Sequence, residues 1–255
     1  MAAPARQVLI RPPRFSPVAL IVTVLCAVVF LLQLLPGLRQ ALPDYLGLSA
    51  EGISRGFVWQ FVTYAFLHVG IWHILFNLMA LYFFAPRLEL TMSSRVFAVF
   101  YLLATAVGGL FSYAVAVSAG GERLVVGASG AIFGILALWA LWWPDEIVLF
   151  WGIFPMKMKW LVILLLGLGL FSSGQDGIAL EAHLGGAITG VAWWWFTRRG
   201  GGPSCGSSSR TPTPSASATS STTSETEATE CCRPACTRCF SPPAPSSALR
   251  SPGRS

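Results

Sequence analysis

Apolar residues in the first 199 positions come in long runs, not at the three-and-four spacing of a helix with one wet face. A helix that crosses the hydrocarbon core of a bilayer needs roughly 20 mostly apolar residues. Six windows approach that pattern: 17–36, 67–85, 96–117, 127–143, 158–173 and 178–197. The predicted fold class is an all-α polytopic membrane protein with six transmembrane helices. The first run, Val18 to Leu35, is long for a signal core and ends at Pro36-Gly37 without a small-x-small site, so it reads as a retained span. The segment Ile147 to Trp160, interrupted by Pro155, reads as a partly interfacial connection between spans four and five.

Composition and charge sharpen this picture. Of 255 residues 54% are hydrophobic and 11% charged, which disfavours a soluble fold. The positive-inside tendency orients the spans. Arg6, Arg11 and Arg14 precede the first window, and with them Arg87, Arg95, Lys157, Lys159, Arg198 and Arg199 fall on one side. Only Arg39, Arg55 and Arg123 fall on the other. Nine against three places both termini in the cytoplasm, within a plasma or inner membrane. No aromatic interleaving marks a nucleic-acid surface, so no nucleic acid is expected as a partner. Trp193, Trp194 and Trp195 beside Arg198 and Arg199 read as an aromatic belt at the inner interface.

Three regions follow: a cytoplasmic N-terminus over 1–16, a helical domain over 17–199, and a disordered tail over 200–255 rich in Ser, Thr and Pro. Five of the six cysteines lie in that tail. Cys232, Cys236 and Cys239 lack the histidine or second ligand pair of a zinc finger, and the expected tail is reduced and unstructured. No metal and no cofactor is expected.

The chain has three histidines, His68, His73 and His183, all inside or at the edge of a window. Ionisable residues at membrane depth are rare and mark functional sites, although a histidine bonded to a backbone carbonyl is the ordinary alternative. Under the orientation above, windows two, four and six enter from the outer side. His73 and Asn77, Ser129, and His183 then reach a common depth, as a buried reaction centre requires. In Gly127-Ala128-Ser129-Gly130 the serine opens a helix, beside N–H groups with no intrahelical partner and the positive end of the dipole. Gly130-x3-Gly134 and Gly186-x3-Gly190 form two small-residue faces. If they pack together, His183 comes within reach of Ser129 and can act as its general base. Glu181 points away from His183 and Asp176 lies in the preceding loop, so a dyad is predicted. His73 and Asn77, at i and i+4, share a helix face and can donate to a developing oxyanion. His68 and His73, five apart, are expected on diverging faces.

These residues resemble the rhomboid intramembrane serine proteases over about 17–199. The likeness runs through Trp59-Gln60-Phe61-Val62-Thr63-Tyr64, His68-x4-His73-x3-Asn77, Glu89, Gly127-x-Ser129-Gly130 and Ala182-His183-x2-Gly186-x3-Gly190, in that order. The resemblance implies a rhomboid-like six-helix bundle with Ser129 as nucleophile and His183 as base. It also implies an oxyanion site from His73, Asn77 and the Ser129 N–H, a local structural role for His68, and Phe133 stacked on the His183 ring. Gln60 and Ala85-Pro86 depart from the family pattern. Transmembrane proteins in the lipid bilayer are the implied substrates, cleaved in or near their spans. The short fifth window is the candidate moving element that admits them. Two alternatives stand beside this: a rhomboid-like pseudoprotease that binds membrane proteins without cutting, and a small transporter with a histidine proton path. The first would normally lack Ser129 or His183. The second needs a polar line below Asn77, which the sequence does not provide.

Overall fold

The computed structural model describes residues 16–120, 123–150, 154–172 and 179–199. The three N-terminal arginines, Asp176 and the segment 200–255 with its cysteines lie outside the described residues.

The first helix, α1 (Pro17–Gln33), opens on a proline, whose fixed φ and missing N–H suit a first turn. The next two donors have no partner within the helix. They are met from another helix: Val18 N donates to Glu89 Oε1 at 3.0 Å and Ala19 N to Glu89 Oε2 at 2.9 Å. Glu89 is buried, and a carboxylate at a helix N-terminus is favourably placed against the dipole.

After α1 the chain winds through α2 (Leu38–Leu46), α3 (Ala50–Ser54), α4 (Gln60–Thr63) and a 3-10 turn at Tyr64–Phe66. Gln60, a departure from the family pattern, is fully buried and organises this loop. Its Oε1 accepts from Ser49 N at 3.2 Å, and its Nε2 donates to Asp44 O at 3.3 Å. A single bridge between Leu48 and Val125 ties the loop to the strand of chain that enters the central helix.

α5 (Ile71–Met92) continues through Pro86, past the window's expected end at 85. The polar residues that end the apolar window are satisfied within the bundle. Arg87 pairs with Glu146 and sits over the Trp143 ring at 3.9 Å, while Glu89 caps α1. Ser93, at φ 81, is a non-glycine residue in the left-handed region and turns the chain directly into α6 (Ser94–Ser118).

α7 (Ser129–Trp142) is buried around most of its circumference, as a helix apolar on all sides should be. Strands β1 (Ile147–Phe150) and β2 (Phe154–Lys157) then form an antiparallel hairpin, and α8 (Met158–Ser172) and α9 (Leu180–Arg199) follow. Trp193 of α9 meets Phe100 at 5.3 Å, and Arg198 lies over the Trp194 ring at 4.7 Å. Among the described residues, α5 and α6 are long and apolar enough to cross a membrane, and α1, α7 and Met158–Leu168 are shorter apolar helices.

Candidate active site

α7 and α9 approach each other through their glycines. A Cβ built on Gly186 would lie 1.8 Å from Gly130 O, and one on Gly190 would lie 2.5 Å from Gly134 O. No side chain fits there, so the two backbones are in direct contact. One turn before Gly186, His183 points across this seam. Its Nε2 lies 2.8 Å from Ser129 Oγ.

Each partner is held by its surroundings. Phe133, one turn along α7, stacks on the His183 ring with centroids 4.3 Å apart and planes inclined by 21°. His183 and Phe133 are buried, whereas Ser129 is partly exposed. Ser129 is the first residue of α7, so its N–H and those of the next two residues have no carbonyl one turn back. Gly127 has φ +121, and a Cβ there would meet the His73 ring at 2.7 Å. Glycine is therefore needed for both the conformation and the space. The Gly127 N–H donates to Tyr64 O at 2.9 Å.

His73 thus sits over the turn that delivers the serine. Its ring also meets His68, with centroids 5.1 Å apart. That corrects the expectation of diverging faces: His68 precedes the first residue of α5 and is not on the helix with His73. The backbone N–H of His68 is anchored by Gln33 Oε1 at 3.0 Å. Asn77 is buried, and its Nδ2 donates to the His73 carbonyl at 2.9 Å, one turn back on the same helix. A primary amide has two N–H groups, so one remains beyond that bond.

No carboxylate joins the pair among the described residues. Glu181 is engaged by Arg123 at 3.5 Å, and His183 Nδ1 is buried with no hydrogen-bond partner among the described residues. Sequence reasoning missed Tyr64 as a support. Its carbonyl holds Gly127, its hydroxyl donates to Thr105 O at 2.9 Å, and a Cβ on Gly130 would meet that hydroxyl at 3.1 Å. The signal was an aromatic with a polar tip at the end of the Trp59–Tyr64 motif.

A buried histidine bonded to a serine at a helix N-terminus, within a bundle of apolar helices, defines a class: a membrane protein with a hydroxyl that a neighbouring base can activate. Residues 55–200 match the family model described as the Rhomboid domain, and the chain belongs to the rhomboid family. It is therefore a helical, polytopic integral membrane protein. It is 32% identical to YdcA of Bacillus subtilis over 180 residues, which span 69% of this chain and 86% of YdcA. It is 27% identical to rhomboid protease GlpG of Haemophilus influenzae over 179 residues, 69% of this chain and 88% of that protein. Rhomboid-related protein 1 of Caenorhabditis elegans is 28% identical over 149 residues, 54% of this chain but only 39% of the relative.

Proposed function

We propose that the protein is an intramembrane serine endopeptidase that hydrolyses peptide bonds in or near the transmembrane segments of other membrane proteins. The reading rests above all on the 2.8 Å contact between His183 Nε2 and Ser129 Oγ at the N-terminus of α7. The hydroxyl donates to Nε2 as Oγ attacks the scissile carbonyl, and the proton passes to the imidazole. The tetrahedral oxyanion is met by the Ser129 N–H, the free amide hydrogen of Asn77 and His73. Protonated His183 then gives its proton to the leaving amine. Water, deprotonated by the same imidazole, hydrolyses the acyl-serine. Phe133 keeps the ring aligned, Gly127 admits the His73 ring beside the serine, and Gly130 lets α9 approach.

In this reading the domain spans 17–199 with six transmembrane helices, α1 and α5 through α9, and both termini are cytoplasmic. Residues 1–16 and 200–255 are appended segments. α7, 14 residues long, rises about 20 Å at 1.5 Å per residue, against a hydrocarbon core of about 30 Å. With Trp142 and Trp143 at the inner surface, Ser129 then lies below the outer surface and is reached by water from that side. A substrate helix must unwind to expose its hydrogen-bonded carbonyls, and α8 is the element that moves to admit it.

The test is cleavage of a single-span reporter in proteoliposomes by the wild type, Ser129→Ala and His183→Ala, with fluorophosphonate labelling in parallel. Cleavage and labelling by the wild type alone, with both variants folded, support the dyad. Equal behaviour of all three, without labelling, overturns it in favour of a non-cleaving binder.

A further inference from the structure

Beyond the last turn of α7, at the end remote from Ser129, the β1–β2 hairpin serves no step of the chemistry proposed above. Residues opposite one another in an antiparallel pair share a face. The register sets Val148 opposite Met156, and Leu149 opposite Pro155 with Ile147 opposite Lys157. Val148 and Met156 pack against the helical core. On the other face Leu149 is 55% exposed, and at the turn end of the hairpin, past the reach of the helical core, Phe154 on the Val148 and Met156 face is 62% exposed.

The base of the hairpin is charged. Asp145 Oδ1 accepts from Lys157 Nζ at 3.1 Å and from Lys159 Nζ at 2.9 Å. Those two ammonium groups hold the Asp145 carboxyl below its ordinary value, so it is ionised at neutral pH. One carboxylate between two ammonium groups leaves net positive charge, and each ammonium keeps donors beyond the one it gives Asp145. The adjacent Arg87 and Glu146 neutralise each other.

Two physical limits fix the depth at which this ribbon can sit. A two-stranded hairpin has open edges, and unpaired backbone groups are not tolerated in hydrocarbon. Yet its uncovered Leu149 and Phe154 favour leaving water. The headgroup boundary meets both limits. Lysines at that level meet the phosphates of anionic lipids.

We propose that the hairpin is an interfacial anchor: Leu149 and Phe154 enter the shallow acyl region of the leaflet at the end of α7 remote from Ser129, and Lys157 and Lys159 bind anionic headgroup phosphates. The proposal is independent of catalysis at Ser129. The experiment uses the full chain with an environment-sensitive fluorescent amino acid in place of Leu149, in phosphatidylcholine proteoliposomes with and without phosphatidylglycerol. Quenchers are placed on shallow lipid carbons, on deep lipid carbons and in water as iodide. The shallow quencher is expected to act most strongly, with an increase of about twofold on adding phosphatidylglycerol that is lost in K157Q/K159Q. Dominant quenching by iodide or by the deep carbons overturns the anchor. A phosphatidylglycerol effect that survives K157Q/K159Q, or is absent in the wild type, overturns the headgroup contact.

Discussion

The two ends of α7 are fastened in opposite ways. At the Ser129 end, α7 meets α9 through uncharged glycines, so closely that Gly186 excludes even a methyl group. At the other end the fastening is charged and aromatic: Arg87 pairs with Glu146 and lies over Trp139 and Trp143, and Trp139 Nε1 donates to Phe84 O at 2.9 Å. The difference follows the cost of charge. Where a hydroxyl must meet an imidazole inside the bundle, contact between bare backbones gives fixed geometry without any group that needs solvation. Toward the end where α7 gives way to a hairpin with exposed lysines, an ion pair is tolerable and a cation can rest on an indole face.

That contrast can be broken at several points. Ser129→Ala is expected to lower reporter cleavage by about a thousandfold or more, with the bundle still folded, as measured by turnover and thermal unfolding in detergent. Asn77→Ala is expected to reduce turnover by about a hundredfold or more, with substrate binding little changed, if its second N–H meets the oxyanion. Gly186→Ala is expected to force α7 and α9 apart, destabilising the fold by about 1–3 kcal/mol and costing about a hundredfold in cleavage through misalignment of His183. Full activity in Gly186→Ala would show that the seam does not set the dyad geometry. Arg87→Ala, at the opposite end and partly solvated, is expected to cost about 1 kcal/mol of stability and leave cleavage within about twofold. A larger loss of activity there would join the two ends into one unit.

The smallest effect concerns pH. Asp145 has its carboxyl held below 3.8 by hydrogen bonds from Lys159 and Lys157. A lowered folded-state value means that this link is present above 3.8 and is lost as pH falls through the folded value. Hydrogen-exchange protection in β2, corrected for the intrinsic pH dependence of amide exchange, is expected to fall below that point and to be unchanged between pH 5 and 7.

The long helices were legible because membrane spans announce themselves as apolar runs, and α6 (Ser94–Ser118) lies within a few residues of its window at 96–117. The small faces at Gly130, Gly134, Gly186 and Gly190 were legible for the same reason that they pack: nothing else removes the side chain. The loop between α1 and α5 was not. Its helices are nine, five and four residues long, too short for periodicity to register, and they are fixed by buried Gln60 and by the bridge from Leu48 to Val125. The hairpin was hidden because a four-residue apolar run reads equally as strand or helix. α5 was cut short at Pro86 because hydropathy counts Arg87 and Glu89 as polar without knowing that Glu146 and α1 satisfy them.

The Glu89 carboxylate that meets Val18 N and Ala19 N bears on the order of assembly. Those two donors belong to a helix synthesised before α5, but their acceptor lies about seventy residues further along the chain, near the end of α5. At the usual pace of translation α1 therefore waits several seconds with its leading turn incomplete. It can settle into its final register only once α5 has been inserted beside it.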